Sequence, residues 1–216
     1  MSRLPGAIVF VALVAAHPAH AYKVFVSNEK SNTVSVIDSD SMEVVETIDV
    51  GQRPRGITLS KGGANLLVAV GDDDTVEVFD TTTYERLHTL PSGPDPELFV
   101  LSPSGNPLYI ANEDDNLVTV VDLETRSMLA EIPVGVEPEG MGISPDGSVV
   151  VNTSETTNMA HFIDTATHEI VANVLVDQRP RFAEFKSDGS EVWVSAEIGG
   201  TVSVIDPKTH EVTQRI

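Results

Sequence analysis

The chain repeats itself with a period of 42 residues, and this regularity limits the possible folds more than any other feature of the sequence. Short runs of the form V-x-V-I-D, or close variants, end at aspartates with this spacing: Asp38, Asp80, Asp122, Asp164 and Asp206. Prolines keep the same spacing at Pro54, Pro96, Pro138 and Pro180. A fixed period of this length is typical of a protein built from stacked structural repeats.

Each repeat contains four short strand-like runs separated by turns. In the second repeat they cover 56–60, 66–70, 75–79 and 85–90. Four antiparallel strands per repeat predict a β-propeller blade, while the strand pattern excludes helical solenoids and disfavours a parallel β-helix. The predicted fold is all-β, a β-propeller of four-stranded antiparallel blades, with about 4.75 blades present. The predicted boundaries are 22–50 for a partial blade, then 51–92, 93–134, 135–176 and 177–216.

The first 21 residues have the pattern of a secretory signal peptide. Arg3 precedes an apolar run from Leu4 to Ala16, and the sequence Ala19-His20-Ala21 follows as a cleavage site. The run is too short to span a bilayer. We therefore expect cleavage after Ala21 and an exported, periplasmic protein without membrane insertion.

Charge and cysteine content exclude several functions. Residues 22–216 carry 12 basic and 33 acidic side chains, a net charge of −21. Such a surface repels phosphates, so we expect no nucleic-acid partner and no binding to anionic lipids. The absence of cysteine excludes covalently attached c-type haem, thiolate metal sites and cysteine nucleophiles.

Several residues that could suggest chemistry have simpler structural interpretations. The repeated aspartates each precede a Ser or Thr by three residues, which predicts hydrogen bonding that closes a hairpin. The acidic stretches 71–74 and 112–116 resemble calcium ligands, but they occupy a hairpin position shared by all repeats, which favours solvated turns. His161 is predicted to be exposed on a strand, and Met159 to be a packing residue. No catalytic motif occurs in the chain.

The residues beside the prolines form the candidate site. The proline is constant, while its neighbours change from basic to acidic and back again. Because strands in a blade alternate in direction, these loops should ring the mouth of the central channel. The predicted rim residues are Arg53, Arg55, Asp95, Glu97, Glu137, Glu139, Arg179 and Arg181. Two interpretations stay open: opposed patches that bind a dipolar or anionic ligand, or ion pairs that simply link adjacent blades.

The sequences V-F-V-S-N-E-K-S-N-T-V-S-V-I-D and Y-I-A-N-E-D-D-N-L-V-T-V-V-D resemble the YVTN family of β-propeller repeats. The resemblance covers essentially all of 22–216. The stretch 152–185 is similar to one subgroup, the PQQ-dependent catabolism-associated β-propeller proteins. This resemblance implies an exported propeller of about seven blades, here an incomplete ring, associated with quinoprotein alcohol oxidation. It supplies no established catalytic residues.

The sequence therefore predicts a non-catalytic periplasmic propeller that binds a small polar ligand or a protein partner in PQQ-dependent alcohol catabolism. A small carboxylate ligand and a periplasmic quinoprotein dehydrogenase are the expected partners, and PQQ association is possible. The single tryptophan, Trp193, argues against a dehydrogenase that holds PQQ itself. The alternative is a hydrolase or lyase that uses the rim carboxylates and arginines. Open blade edges also predict self-association.

Overall fold

The computed structural model describes residues 22–216, so the predicted signal peptide lies outside the described residues. The described chain forms nineteen β-strands and one short 3-10 helix, Gly71–Asp73. The strands belong to five sheets, of which the first has three strands and the others have four. No helix in this part of the chain has the length and apolar character needed to cross a membrane.

Each sheet is an antiparallel meander whose strands follow one another in sequence. The first sheet comprises β1 (Lys23–Asn28), β2 (Thr33–Asp38) and β3 (Glu43–Asp49). The second comprises β4 (Pro54–Leu59), β5 (Asn65–Val70), β6 (Thr75–Asp80) and β7 (Arg86–Pro91). The third comprises β8 (Pro96–Leu101), β9 (Leu108–Asn112), β10 (Leu117–Asp122) and β11 (Ser127–Pro133).

The fourth sheet comprises β12 (Pro138–Ile143), β13 (Val149–Ser154), β14 (Met159–Asp164) and β15 (Glu169–Leu175). The fifth comprises β16 (Pro180–Phe185), β17 (Val192–Ala196), β18 (Thr201–Asp206) and β19 (Glu211–Arg215). These sheets confirm the all-β, four-stranded antiparallel repeat. The first strand of each full sheet begins at the proline itself, and in the second sheet this is two residues earlier than the predicted strand 56–60.

The turn predictions are confirmed. In each repeat, the aspartate that recurs every 42 residues accepts hydrogen bonds from the backbone N–H groups two and three residues later. Asp122 accepts them from Glu124 at 2.8 Å and from Thr125 at 2.7 Å. The S-P-D-G-type turns close with a hydrogen bond from the glycine N–H to the first residue, 2.8 Å for Gly147 and Ser144. Gly147 has a φ of 75°, a conformation that glycine adopts at little cost. These aspartates are therefore structural.

Consecutive sheets pack face to face through apolar side chains. Between the third and fourth sheets, Tyr109 and Val120 pack with Val150 and Ile163, and all four are buried. Equivalent clusters join the other neighbouring pairs. The first strands β4, β8, β12 and β16 lie beside one another, each in contact with the next. This arrangement brings the loops that precede those strands into one region.

Glycine permits the close approach of β4 to β8. A Cβ atom at Gly56 would lie 2.6 Å from the backbone oxygen of Glu97 and 3.2 Å from the Cα of Leu98. Backbone atoms cannot move aside as a flexible side chain can, so the space admits only a hydrogen atom.

We expect Gly56→Ala to lower the free energy of unfolding by about 1–3 kcal/mol, because the added methyl group forces β4 and β8 apart. Urea denaturation measures this loss. Leu59→Ala, a truncation at an exposed position of the same strand, is the control and should cost less. Equal losses in the two variants would show that the close approach has no energetic importance.

Candidate functional site

The four loops that carry the predicted rim residues share one backbone conformation. They are named here the proline loops and consist of residues 53–55, 95–97, 137–139 and 179–181. The residue before each proline has a positive φ: 57° at Arg53, 49° at Asp95, 57° at Glu137 and 59° at Arg179. The left-handed region is uncommon for residues other than glycine, so other interactions must hold it. The chain therefore turns at the residue before the proline, and the proline begins the strand.

Two hydrogen bonds hold this residue in each loop. Its N–H donates a hydrogen bond of 3.0 Å to a side-chain oxygen in a hairpin of the preceding sheet. The accepting residues are Asn32, Asp74, Asn116 and Asn158. Its carbonyl accepts a backbone N–H from the hairpin of its own sheet, from Gly71, Glu113, Glu155 or Glu197. Consecutive sheets are thus joined through one residue. Sequence reasoning missed these Asx residues, although their 42-residue spacing was a usable signal.

The fixed loops bring charged side chains from four sheets into one connected chain of alternating charge. It is named here the central charge cluster and consists of Arg53, Glu97, Arg55, Glu139, Arg181, Glu155 and Arg179. Arg53 Nη2 lies 2.6 Å from Glu97 Oε1, and Arg55 Nε lies 2.6 Å from Glu97 Oε2. Arg55 Nη2 and Arg181 Nη2 lie 3.0 and 3.1 Å from Glu139 Oε1. Arg55 and Glu139 are two repeats apart in the sequence.

Glu155 completes the cluster. Its Oε2 accepts a hydrogen bond from Arg179 Nε at 2.7 Å, and its Oε1 accepts one from Arg181 Nη1. Glu155 sits in the hairpin between β13 and β14, at the position equivalent to Glu113 of the stretch 112–116, and it is buried. Its backbone N–H bonds to the Glu137 carbonyl, and this bond places its side chain beside the arginines.

The carboxylates of the cluster lie beneath partly exposed arginines. The side chain of Glu97 is 0% exposed, and its Oε2 has no partner in hydrogen-bond geometry because Arg55 Nε approaches it from an unsuitable angle. Burial raises the pKa of Glu97 to about 9, and the charge of Glu139 adds to the shift. Burial also raises the pKa of Glu139, against the opposing effects of Arg181 and Arg55. Burial therefore favours the protonated form of Glu97, whereas Arg55 and Arg53 oppose this shift.

Further carboxylates surround the arginines. Glu29 Oε1 lies 3.2 Å from Arg55 Nη1, and Glu197 Oε2 lies 3.6 Å from Arg181 Nε. Asp95, Glu97 and Glu113 hold carboxylate oxygens within 4.8 Å of one another, a spacing that a cation could bridge. The guanidinium of Arg53 lies among these three carboxyl groups and forms ion pairs with each. The Arg53 guanidinium therefore supplies the positive charge that balances these three carboxyl groups.

The structure brings seven of the eight predicted rim residues together. The exception is Glu137, whose carboxylate accepts a hydrogen bond from the Thr156 hydroxyl and forms no ion pair with the arginines in the described residues. The arginines and acids do not form separate opposed patches, because they pair directly. Of the two interpretations of the rim, direct ion pairing describes the observed contacts. Sequence reasoning missed Glu29, Glu113, Glu155 and Glu197, whose spacings are multiples of 42 residues.

His161 is buried, so the predicted exposure of this strand residue is wrong. Its Nε2 accepts the Gly135 N–H at 3.0 Å, and Nδ1 lies 2.6 Å from Asn173 Oδ1. The ring fills a space between the fourth sheet and the segment that leads into β12. Burial lowers the pKa of His161, which is consistent with a neutral imidazole that accepts one hydrogen bond and donates another. Its role is structural.

No protein-family model matches the chain, and no curated protein matches it. Among solved structures, hydrazine synthase from Kuenenia stuttgartiensis is similar, with a TM-score of 0.79 and 24% sequence identity. The similarity covers 87% of this chain and 60% of that chain. Hydrazine synthase contains a β-propeller. The likeness and the four-stranded antiparallel sheets together fit a β-propeller, which is the class of fold to which this chain is assigned.

The raised pKa of Glu97 predicts a pH-dependent stability. The unfolded chain releases this proton near pH 4.5, whereas the folded chain keeps it up to about pH 9. Between these values the folded state binds more protons, so the contribution of Glu97 to stability is full below pH 4.5 and is lost as pH rises toward 9. We expect the free energy of unfolding of Glu97→Gln, relative to the parent, to increase between about pH 5 and about pH 8.5. Urea titrations measure it, and parallel pH profiles would contradict the shift.

Proposed function

We propose that the chain is a non-catalytic β-propeller that binds a small polar ligand at the central charge cluster. The observation that carries this proposal is Glu97, a fully buried carboxyl group between two arginines with one oxygen outside hydrogen-bond geometry. Packing apolar residues at such a position is often as stabilising as an ion pair, because desolvation of charges is costly. A buried charge network at the meeting point of four sheets therefore favours a role in recognition.

The ligand class that fits best is a carboxylate that displaces the Glu97 carboxyl group from Arg53 and Arg55. Acidic groups outnumber the arginines around the cluster, so an anion does not meet an open positive patch. Burial favours the neutral form of Glu97, and a neutral carboxyl group competes weakly for Arg53 and Arg55. A ligand carboxylate could replace it and make the paired hydrogen bonds that guanidinium groups favour. Affinity should then fall as the pH rises through about 9, where Glu97 ionises.

The proposed setting is periplasmic, PQQ-dependent alcohol catabolism, with a quinoprotein dehydrogenase as a possible protein partner. This part of the proposal is supported by the sequence resemblance to the PQQ-associated subgroup of YVTN-repeat propellers. PQQ carries three carboxylates, so it is one candidate for exchange at the arginines. The same resemblance supports a ring of about seven blades, of which the five described sheets are a part.

The test is a thermal-shift screen with PQQ, small carboxylic acids, alcohols and aldehydes, followed by calorimetry of any compound that stabilises the protein. We expect a carboxylate to bind, and Arg53→Ala combined with Arg179→Ala to weaken that binding by at least about tenfold. Arg215→Ala combined with Lys208→Ala removes the same charge from exposed positions and should bind as the parent does. If the Arg53/Arg179 variant binds the compound as tightly as the parent does, the central charge cluster is not its binding site.

A second candidate function is catalysis by the same cluster, as a hydrolase or lyase on an acidic substrate. The observation that favours it is the pair of buried carboxyl groups, Glu97 and Glu139, both with raised pKa values beside arginines. A protonated Glu97 could act as a general acid. Turnover of any screened compound that is lost in Glu139→Gln, with folding intact, would favour this enzyme over the binding module.

A further inference from the structure

A cavity of about 610 Å³ lies between the first and second sheets. Its walls come from β3 and the segment that follows it, from β6 and β7, and from the connections on either side of β6. No residue of the central charge cluster is among its described lining residues. Ile48 and Phe79 line it and are buried, which gives it an apolar floor. Its volume falls within the range of about 300–1,000 Å³ that is typical of small-molecule sites.

Glu77 and Arg86 form an ion pair in this cavity. Glu77 is 2% exposed, and both of its carboxylate oxygens have partners. Its Oε1 accepts a hydrogen bond from Arg86 Nη1, and its Oε2 accepts the Gly51 N–H at 3.0 Å. The Arg86 side chain is 58% exposed, and within residues 22–216 Nη1 is its only nitrogen with a partner. Glu77 therefore holds a guanidinium whose remaining N–H groups can bind a second carboxylate.

The other repeats show that the fold does not require this ion pair. They have neutral polar residues at the position of Glu77 and apolar residues at that of Arg86: Ser35 and Val44, Thr119 and Met128, His161 and Ile170, Ser203 and Val212. His161 Nε2 accepts the Gly135 N–H at 3.0 Å, as Glu77 accepts the Gly51 N–H. A buried carboxylate must overcome desolvation, so a neutral residue would hold the same segment at lower cost. The ion pair therefore favours a role in recognition.

The other charged side chains of the cavity are acidic. Arg86 is the only basic residue among the described lining residues, which include Glu46, Asp49 and Asp73. These carboxylates repel a ligand that carries only a negative charge, and Arg86 repels one that carries only a positive charge. A zwitterion offers a carboxylate to Arg86 and an ammonium group to the acids. The apolar floor suits a ligand with an apolar side chain.

We propose that this cavity binds a small apolar amino acid. The ligand carboxylate binds the free N–H groups of Arg86, the ammonium group lies beside the carboxylates of Asp49 and Asp73, and the side chain packs on Phe79. Glu77 is a positioning residue, because it holds the guanidinium of Arg86. This inference does not depend on the ligand proposed for the central charge cluster.

Three compounds with the same apolar body test the need for both charges. L-leucine carries both, isoamylamine carries only the ammonium group, and isocaproate carries only the carboxylate. Binding is followed by the backbone amide signals of the full chain in nuclear magnetic resonance spectra. We expect leucine to shift the signals of 46–51 and 77–79 saturably, and to bind at least about tenfold more tightly than either analogue. No saturable shift with leucine, or equal affinity for either analogue, would overturn the proposal.

A variant that copies the fourth sheet tests Arg86 without removing the acceptor for the Gly51 N–H. Glu77→His combined with Arg86→Ile should bind leucine at least about tenfold more weakly, while its urea midpoint stays close to that of the parent. Lys208→Gln removes a positive charge from an exposed position of the fifth sheet and should bind leucine as the parent does. Unchanged leucine affinity in the double variant, or a clearly lower midpoint, would contradict a recognition role for the ion pair.

Discussion

The hydrogen bond from the residue before each proline to an Asx side chain of the preceding sheet is the interaction on which the rest of this structure depends. It occurs four times at 3.0 Å, and each bond links residues 21 apart in neighbouring sheets. It offsets the cost of the left-handed backbone at Arg53, Asp95, Glu137 and Arg179. Because the bond uses only backbone and Asx atoms, the side chain of the turning residue is free to vary. The same backbone geometry can therefore hold an arginine in one repeat and an acidic residue in another.

The central charge cluster follows from this constant geometry. Two acidic proline loops follow a basic one and precede another, so the buried carboxylates lie beside arginines, and Glu139 pairs with arginines from the second and fifth sheets. Exposed ion pairs contribute little to stability, and buried ones must overcome desolvation. Glu97 illustrates the cost, since burial raises its pKa although two guanidinium groups lie beside it. Stability alone accounts poorly for such a group, and this is why we propose a role in recognition of a ligand.

Most of the fold could be predicted from the period of the sequence, because strand and turn chemistry are local. The bond between Asp122 and Thr125 spans three residues and can be recognised in a short window. The bond between Asn116 and Glu137 spans two sheets, so only the 42-residue spacing of the Asx residues could suggest it. Burial was harder to predict. His161 occupies a position that is polar in every repeat, and Glu155 one that holds Glu or Gly; only the packing of neighbouring segments shows that these two side chains are covered.

A double-mutant cycle between Arg55 and Glu139 tests most directly the claim that the repeated loop geometry joins charges from distant repeats. The two side chains lie 3.0 Å apart although two repeats separate them in sequence. The single variants Arg55→Ala and Glu139→Gln and their combination are compared by urea denaturation. The account predicts a coupling energy of about 1–3 kcal/mol for this pair and near-additivity for Arg55→Ala with Glu191→Gln, because Glu191 pairs with Lys186 and Trp193 outside the cluster. Additive losses for Arg55 and Glu139 would contradict it.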